Sequence, residues 1–135
     1  MFVNKEIDDF LCRTQIGVLS TVDEKGLPWS APIWFSWEAG SAIMFTDIGT
    51  KKWRNLANSP YASLCVDWRT PPYRSVVIAG QVQRIDRPIY ELVLSMALRY
   101  YGKLEGPKFA EEYRKDNQGV VVFQLEPEKI ASYLD

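Results

Sequence analysis

The chain has 135 residues, of which 47% are hydrophobic and 24% charged, and its formal net charge is -1. This composition is typical of one globular domain and excludes a disordered or fibrous chain. The near-neutral charge argues against a dedicated nucleic-acid-binding protein. The sequence contains no histidine, which excludes a histidine-based catalytic triad and histidine-ligated zinc or haem. Any difficult chemistry is therefore expected to come from a bound cofactor.

The cysteines and the lengths of the apolar runs indicate in which cellular compartment the protein is expected. Cys12 and Cys65 lie far apart and have no CxxC partner, so we predict no metal site and expect both to be small core residues. Acidic residues occupy the N-terminal stretch MFVNKEIDDF, where a signal peptide needs an apolar run. No apolar run approaches the roughly 18 residues of a membrane span. We therefore expect a cytoplasmic protein without a membrane segment.

The first third of the chain predicts one helix and three strands. In chain order these are a helix at 4–12 and strands at 15–22, 27–37 and 42–47. Asn4 is a candidate N-cap, and the sequence DEKG predicts a hairpin turn between the first two strands. Pro28 and Pro32 lie within the second strand. Because proline cannot donate to a strand ladder, we expect an edge, a bulge or an interruption there.

The rest of the chain predicts three helices and three further strands. In order these are a helix at 50–58, strands at 61–68 and 73–86, helices from Pro88 and at 107–115, and a strand at 119–125. The helix that begins at Pro88 has the clearest apolar stripe, with apolar residues at i, i+3, i+4 and i+7 from Ile89. Six strands interrupted by a few helices predict a mainly β domain over 1–135, built as a small antiparallel barrel.

Three cations occupy the predicted start of the helix at 50–58. Thr50 is a good N-cap, which places Lys51, Lys52 and Arg54 near the positive end of the helix dipole. Free backbone N–H groups, the Thr50 hydroxyl and these cations together would bind a phosphate well. Thr46, at the end of the preceding strand, adds a second hydroxyl. A solvated lysine-rich surface is the alternative interpretation, and the segment alone does not distinguish the two.

Aromatic residues form a second feature. Trp29, Trp34, Phe35 and Trp37 lie in one predicted strand. Such rings stack on a planar heterocycle, although most aromatic clusters belong to a core or an interface. The rings could also stack on nucleic-acid bases, as in an oligonucleotide-binding barrel. The sequence lacks the basic stripe that this third alternative requires, so we rank it below a small-ligand site.

Four blocks of the sequence resemble the pyridoxamine-phosphate-oxidase-like, FMN-binding split-barrel superfamily. They are IGVLSTVDEKGLPWSAPIWF (16–35), MFTDIGTKKWRNLANSPYASLCVDW (44–68), PYRSVVIAGQVQRID (72–86) and LEPEKIASYLD (125–135). They cover most of the chain in the expected order. The resemblance implies a mainly β fold with flanking helices, a six-stranded antiparallel split β-barrel, and a homodimer with flavin at the subunit interface.

The resemblance also implies roles for single residues. Lys51 and Lys52 match the basic pair that binds the cofactor phosphate, and Thr46 and Thr50 would supply hydroxyls to it. Arg54 would either reach the phosphate or pair on the helix surface. The strand that passes along the isoalloxazine, mostly through backbone groups, matches Pro32, Ile33 and Trp34. No catalytic residue is implied.

Departures from the pattern narrow the expected function. True pyridoxamine phosphate oxidases have an arginine near Ser30, a glutamine near Ser75 and a C-terminal Arg-x-His motif that this sequence lacks. We therefore expect a member of the short branch that binds FMN or the deazaflavin coenzyme F420. The segments PPYRSVVIAG (71–80) and RYYG (99–102) resemble the F420-binding members slightly more than the FMN-binding members. The expected activity is hydride transfer between the flavin and a small conjugated substrate, with a non-catalytic flavin carrier or sensor as the alternative.

Overall fold

A curled antiparallel sheet with three helices makes up the part of the chain that the computed structural model describes, residues 3–13, 16–114 and 119–134. The strands are β1 (Gly17–Val22), β2 (Pro28–Ile33), β3 (Ser36–Glu38), β4 (Ser41–Asp47), β5 (Tyr61–Trp68), β6 (Arg74–Arg84) and β7 (Val120–Tyr133). The helices are α1 (Lys5–Leu11), α2 (Lys51–Asn58) and α3 (Ile89–Ala110), and a 3-10 turn (Glu111–Tyr113) follows α3. Residues 15 and 115, at the ends of two predicted elements, lie outside the described residues.

The strand order explains why the sheet curls into a barrel. The order is β2-β1-β5-β6-β7-β4-β3, so β2 and β3 are the two edges. Only Trp34 and Phe35 separate these edge strands in sequence, and two residues bridge no more than about 11 Å between the flanking Cα atoms. The end of β2 and the start of β3 must therefore lie close together, while no ladder joins the two strands within the described ranges. This arrangement is a split barrel.

The fold prediction is confirmed, but the described residues form seven strands and not six. The predicted strand at 27–37 is divided at Trp34 and Phe35, because its first half pairs with β1 and its second half pairs with β4. Pro28 and Pro32 both lie in the edge strand β2, where a missing donor does not break a ladder.

The two faces of the sheet bury different sets of residues. In β4, Ala42 and Met44 point into the barrel core, and Ile43 packs on the other face against the cluster that includes Leu92 and Val93 of α3. Strand periodicity produces this division, since alternate side chains point to opposite faces. Helix α1 adds Ile7, Phe10 and Leu11 to the barrel core, and α3 covers the outer face beside β4 and β7. The outer face of β1, β2, β5 and β6 is left without a covering helix among the described residues.

Helix α3 joins the two predicted helical segments across a kink. Gly102 has φ 88° and ψ -179°, a combination that is nearly restricted to glycine. The kink turns the second half of the helix back over the sheet, so that Phe109 packs against Trp34 with ring centroids 5.1 Å apart. No helix in the described part of the chain is both long enough and apolar enough to cross a membrane.

The prediction that both cysteines are core residues is wrong. Cys12 is the C-cap of α1 and is exposed, because the last buried residue of that helix is Leu11. Cys65 is half-buried. Its neighbours Leu64 and Val66 point into the barrel, so the strand alternation turns Cys65 to the outer face.

Candidate functional site

The start of α2 has the cap and the charges that the sequence predicted. The Thr50 hydroxyl accepts a hydrogen bond from the Trp53 N–H at 3.3 Å, and the first turn contains no acidic residue. Lys51 is exposed, Lys52 is half-buried and Arg54 is exposed. Cations at a helix N-terminus are unfavourable by about 0.3–1 kcal/mol each where exposed. An anion bound there would reverse the sign of this effect.

The two threonine hydroxyls organise the helix start. Thr50 Oγ1 donates to the Asp47 carbonyl at 3.0 Å and lies 3.1 Å from Thr46 Oγ1. With the bond from the Trp53 N–H, Thr50 uses its one donor and both acceptor positions. Thr46, which is buried, therefore donates to Thr50. Both hydroxyl protons are engaged within the protein, so a ligand at this helix start would be bound by the cationic side chains and the backbone N–H groups and not by the threonine hydroxyls.

Arg54 turns back toward the loop that precedes the helix. Its Nη1 donates to the Gly49 carbonyl at 3.1 Å, and the side chain is otherwise exposed. This bond closes the loop between β4 and α2. The structure therefore places Thr46, Thr50, Lys51, Lys52 and Arg54 together around one helix start.

A small cavity lies between this helix start and the β1–β2 hairpin. Its volume is about 110 Å³, and it is lined by Leu19, Thr21, Trp29, Ser30, Ala31, Lys51 and Lys52. The Lys51 ammonium lies 5.0 Å from the centre of the Trp29 ring, within the range of a cation–π contact. Helix α2 and strand β1 are also joined by a buried hydrogen bond, which the Asn55 amide donates to the Thr21 hydroxyl at 3.0 Å. The cavity has room for a phosphate group.

Asp23 fixes the position of Trp29. Its carboxylate accepts hydrogen bonds from the Trp29 indole at 3.0 Å and from the backbone N–H groups of Leu27 at 3.0 Å and Lys25 at 2.9 Å. These bonds, the indole bond first, lower the pKa of Asp23 below its ordinary value, and the nearby Lys51 charge acts in the same direction. Asp23 and Trp29 were not predicted as site residues. The sequence carried two signals for this pair, the acidic residue of the hairpin turn and the place of Trp29 in the aromatic cluster.

The three residues predicted to line a flavin ring have different environments. Pro32 is exposed on the edge strand β2, whereas Ile33 belongs to the barrel core. The Trp34 ring stacks on Tyr100 of α3, with centroids 4.8 Å apart and planes 7° apart. Tyr100 also fixes the crossing between the sheet edges, since its hydroxyl donates to the Phe35 carbonyl at 3.2 Å and accepts from the Phe35 N–H at 3.3 Å. Burial raises the pKa of Tyr100.

Two open clefts lie on the uncovered outer face of the sheet. The first, about 450 Å³, is lined by Ser20, Thr21, Val22, Pro28, Tyr61, Ala62, Ser63, Ala79, Gly80, Glu128 and Lys129. Small residues meet across its strands, where Ser63 pairs with both Ser20 and Ala79. The second, about 510 Å³, is lined by Ile16, Val18, Pro32, Asp67, Trp68, Arg69 and Thr70. Both have the volume of a small-molecule site but are open to solvent on one side.

Comparisons with known proteins agree on one family. The family model for pyridoxamine 5'-phosphate oxidase matches residues 3–133. Over 71 residues the chain is 37% identical to a pyridoxine/pyridoxamine 5'-phosphate oxidase of Salinispora arenicola, a match that covers 52% of this chain and 32% of the relative. The matched region thus spans about a third of the length of that curated relative.

Solved structures share the fold over nearly the whole chain. An F420 reductase superposes with a TM-score of 0.79 at 25% identity and covers 96% of this chain and 98% of its own. HutZ, the heme storage protein from Vibrio cholerae, superposes with a TM-score of 0.70 at 17% identity and covers 99% and 95%. At that identity the second likeness concerns the fold alone. The match of the family model over 3–133 and the split barrel together show that the chain belongs to the pyridoxamine 5'-phosphate oxidase family.

Proposed function

We propose that the chain binds FMN and transfers a hydride between the flavin and a small conjugated substrate. The observation that best supports this function is the start of α2, where Lys51 and Lys52 lie beside a phosphate-sized cavity and no acidic residue balances them in the first turn. Membership of the pyridoxamine 5'-phosphate oxidase family and the similarity to an oxidase and to an F420 reductase support an oxidation–reduction reaction. The chain has no histidine, the residue that most often ligates haem iron in globins and peroxidases, which favours a flavin over haem.

The residues present fit a phosphorylated tricyclic cofactor. Lys51, Lys52 and the backbone N–H groups of the first turn of α2 would hold the phosphate, while Thr46, Thr50 and Arg54 keep the helix start in place. Strand β2 lines the phosphate cavity with Ser30 and Ala31 and the second open cleft with Pro32. The ring would therefore lie along the backbone of 32–34, at the open edge of the sheet.

The chain's own contribution is binding, orientation and shielding. When bound, the isoalloxazine of FMN exchanges a hydride at its N5 atom. Strand β2 offers unpaired backbone groups along its free edge, and these orient a planar ring. Beyond the end of β2, the Trp34 ring stacks on Tyr100, and the Tyr100 hydroxyl bonds to the Phe35 backbone, so these contacts fix the position of that edge. A second copy of the chain would cover the open side of the clefts and exclude water, so the proposed active form is a homodimer. The two free cysteines suit a reducing cytoplasm.

The test is cofactor binding by the purified protein and by a double variant. Visible absorption and mass identification of the released cofactor should detect FMN. Lys51→Ala with Lys52→Ala removes two charge-assisted contacts, and FMN affinity should fall by at least about 100-fold, because such contacts contribute about 1.5–3 kcal/mol each. Lys103→Ala with Lys108→Ala removes two exposed lysines of α3 and should leave the affinity unchanged. A wild-type protein that binds no flavin, or a double variant with unchanged affinity, would refute the proposal.

F420 is the second candidate cofactor. The F420 reductase superposes on nearly all of both chains, whereas the oxidase relative matches 52% of this chain. Parallel titrations with FMN and F420 decide between them by relative affinity. Reoxidation of the reduced cofactor then separates an enzyme from a carrier or sensor. In an enzyme a conjugated substrate reoxidises the bound cofactor faster than air does, and in a carrier it does not.

A further inference from the structure

Arg74 has a buried donor without an acceptor. It begins β6 opposite Trp68, and its guanidinium carbon lies 5.7 Å from the ring centres of both Trp68 and Phe10. Among the described residues, the buried Nε has no hydrogen-bond partner, and none of the ion pairs includes Arg74. Buried donors are almost always satisfied in native proteins, so this one requires an explanation.

The surroundings of Arg74 have the chemistry of a small anion site. A cleft of about 320 Å³ is lined by Asp67, Trp68, Arg69, Tyr73, Arg74, Ser75 and Tyr133. Asp67 and Arg69 pair with each other at 2.9 Å, which leaves Arg74 as the unbalanced charge of the cleft. The three aromatic side chains are 38–62% exposed, an unusual concentration of exposed rings around one cation. Flat walls and a guanidinium suit a planar molecule that bears a carboxylate.

This cleft adjoins the proposed cofactor site. Asp67, Trp68 and Arg69 line both the Arg74 cleft and the cleft that contains Pro32. A molecule whose carboxylate reaches Arg74 could thus extend its conjugated part toward the strand along which the flavin ring is proposed to lie. We propose that the Arg74 cleft binds the carboxylate of a planar, conjugated acid, and that such acids are the substrate class of this protein. The assignment of such acids as substrates depends on the proposed function. The binding of a carboxylate in the Arg74 cleft does not.

Benzoate and its neutral isostere benzamide are the probes, and calorimetric titration is the measurement. Benzoate should bind the wild-type protein about tenfold or more tightly than benzamide, because only the acid pairs with a guanidinium. Arg74→Met should abolish this preference. Arg74→Lys keeps the charge but loses the planar donor fork, and should reduce benzoate affinity by an intermediate factor. The matched control Arg84→Met removes an exposed arginine at the other end of β6 and should change nothing.

A structural role for Arg74 would give different results. If Arg74 serves a ligand, Arg74→Met should keep the wild-type circular dichroism spectrum and melt at the same temperature or higher, because an unpaired donor has been removed. Equal affinity for the two probes, an Arg74→Met variant that binds benzoate normally, or an Arg74→Met variant that melts lower or loses its oligomeric state would overturn the proposal. Benzoate binding through Arg74 by a protein that binds neither FMN nor F420 would support the anion site and refute the proposed function. Flavin binding without benzoate binding would refute the anion site alone.

Discussion

At the scale of single residues, Asp23 connects the β1–β2 turn to the cationic start of α2. Its carboxylate holds the Trp29 indole, and the Trp29 ring lies against the Lys51 ammonium. The carboxylate thus positions Lys51 through Trp29, although Asp23 itself does not line the small cavity. Removal of its charge should affect both the stability of the hairpin and the placement of the lysine.

Asp23→Asn should lower the melting temperature at neutral pH and weaken FMN binding, since the amide does not reproduce the carboxylate bonds. The folded-state pKa of Asp23 lies below its ordinary value. Its stabilising contribution is therefore fully present above the unfolded-state pKa of about 4 and is lost as the pH falls through the lower, folded-state value. The difference in melting temperature between wild type and variant should accordingly shrink below about pH 4.

Calorimetry from neutral pH to about pH 3 measures this difference. Asp86→Asn is the matched control, because Asp86 is an exposed carboxylate in the loop between β6 and α3. That variant should follow the wild-type curve. A constant gap between Asp23→Asn and wild type at all pH values would contradict the ionic role of Asp23.

At the scale of elements, Gly80 allows β6 and β7 to meet at a bulge. The pairing shifts between Ala79, opposite Lys129, and Gly80, opposite Pro127. A Cβ atom on Gly80 would overlap the Glu126 carbonyl oxygen, and this backbone atom cannot move without disturbing the longest ladder of the sheet. Close backbone approach is the reason for glycine here.

Gly80→Ala should lower the free energy of unfolding by about 3 kcal/mol, the upper end of the usual effect of overpacking. Urea unfolding followed by circular dichroism measures the change. Gly119→Ala is the control, because an added Cβ there meets nothing within 4 Å. Equal stabilities of the two variants would show that β7 tolerates a displacement at the bulge.

The elements that the sequence predicts correctly are those with local signals. The N-caps Asn4 and Thr50 act within three residues of their own position, so sequence alone reveals them. The division of the strand at 27–37 has only a partial signal, because Pro28 and Pro32 predict an edge, a bulge or an interruption but not its position at Trp34 and Phe35. The strand divides at Trp34 and Phe35 because its first half pairs with β1 and its second half with β4. This pairing is a property of the whole barrel. The kink at Gly102, in contrast, does have a local signal, since the sequence predicts two helical segments and a glycine lies between them.

At the scale of the whole molecule, the same distinction applies to the site. The placement of Lys51, Lys52 and Arg54 at a capped helix start was predictable because the cap and the charges are neighbours in sequence; their role in cofactor binding stays a prediction. The contact between Trp29 and Lys51 joins residues 22 positions apart and forms only when the hairpin lies beside α2. The Arg74 cleft combines the ends of β5, β6 and β7, and the order of those strands is not encoded in any local motif.

The uncovered sheet face leads to the last prediction, which concerns assembly. Ser63 lies in the middle of this face, half-buried between Ser20 and Ala79. If two copies pack through this face, Ser63→Arg would force a charge into the interface, and an unpaired buried charge is strongly unfavourable. We expect the variant to fold but to sediment as a monomer at micromolar concentration, and to lose FMN affinity in parallel, because the open clefts lose their cover.

Sedimentation velocity and flavin fluorescence measure the two effects on the same samples. Leu104→Arg adds the same charge to α3 at a side chain that is 75% exposed, and it should leave both dimer and cofactor binding intact. A wild-type monomer that binds FMN, or a Ser63→Arg dimer, would show that the uncovered face is not the interface. Loss of the dimer with unchanged FMN affinity would separate assembly from the cofactor site and place the whole site within one protomer.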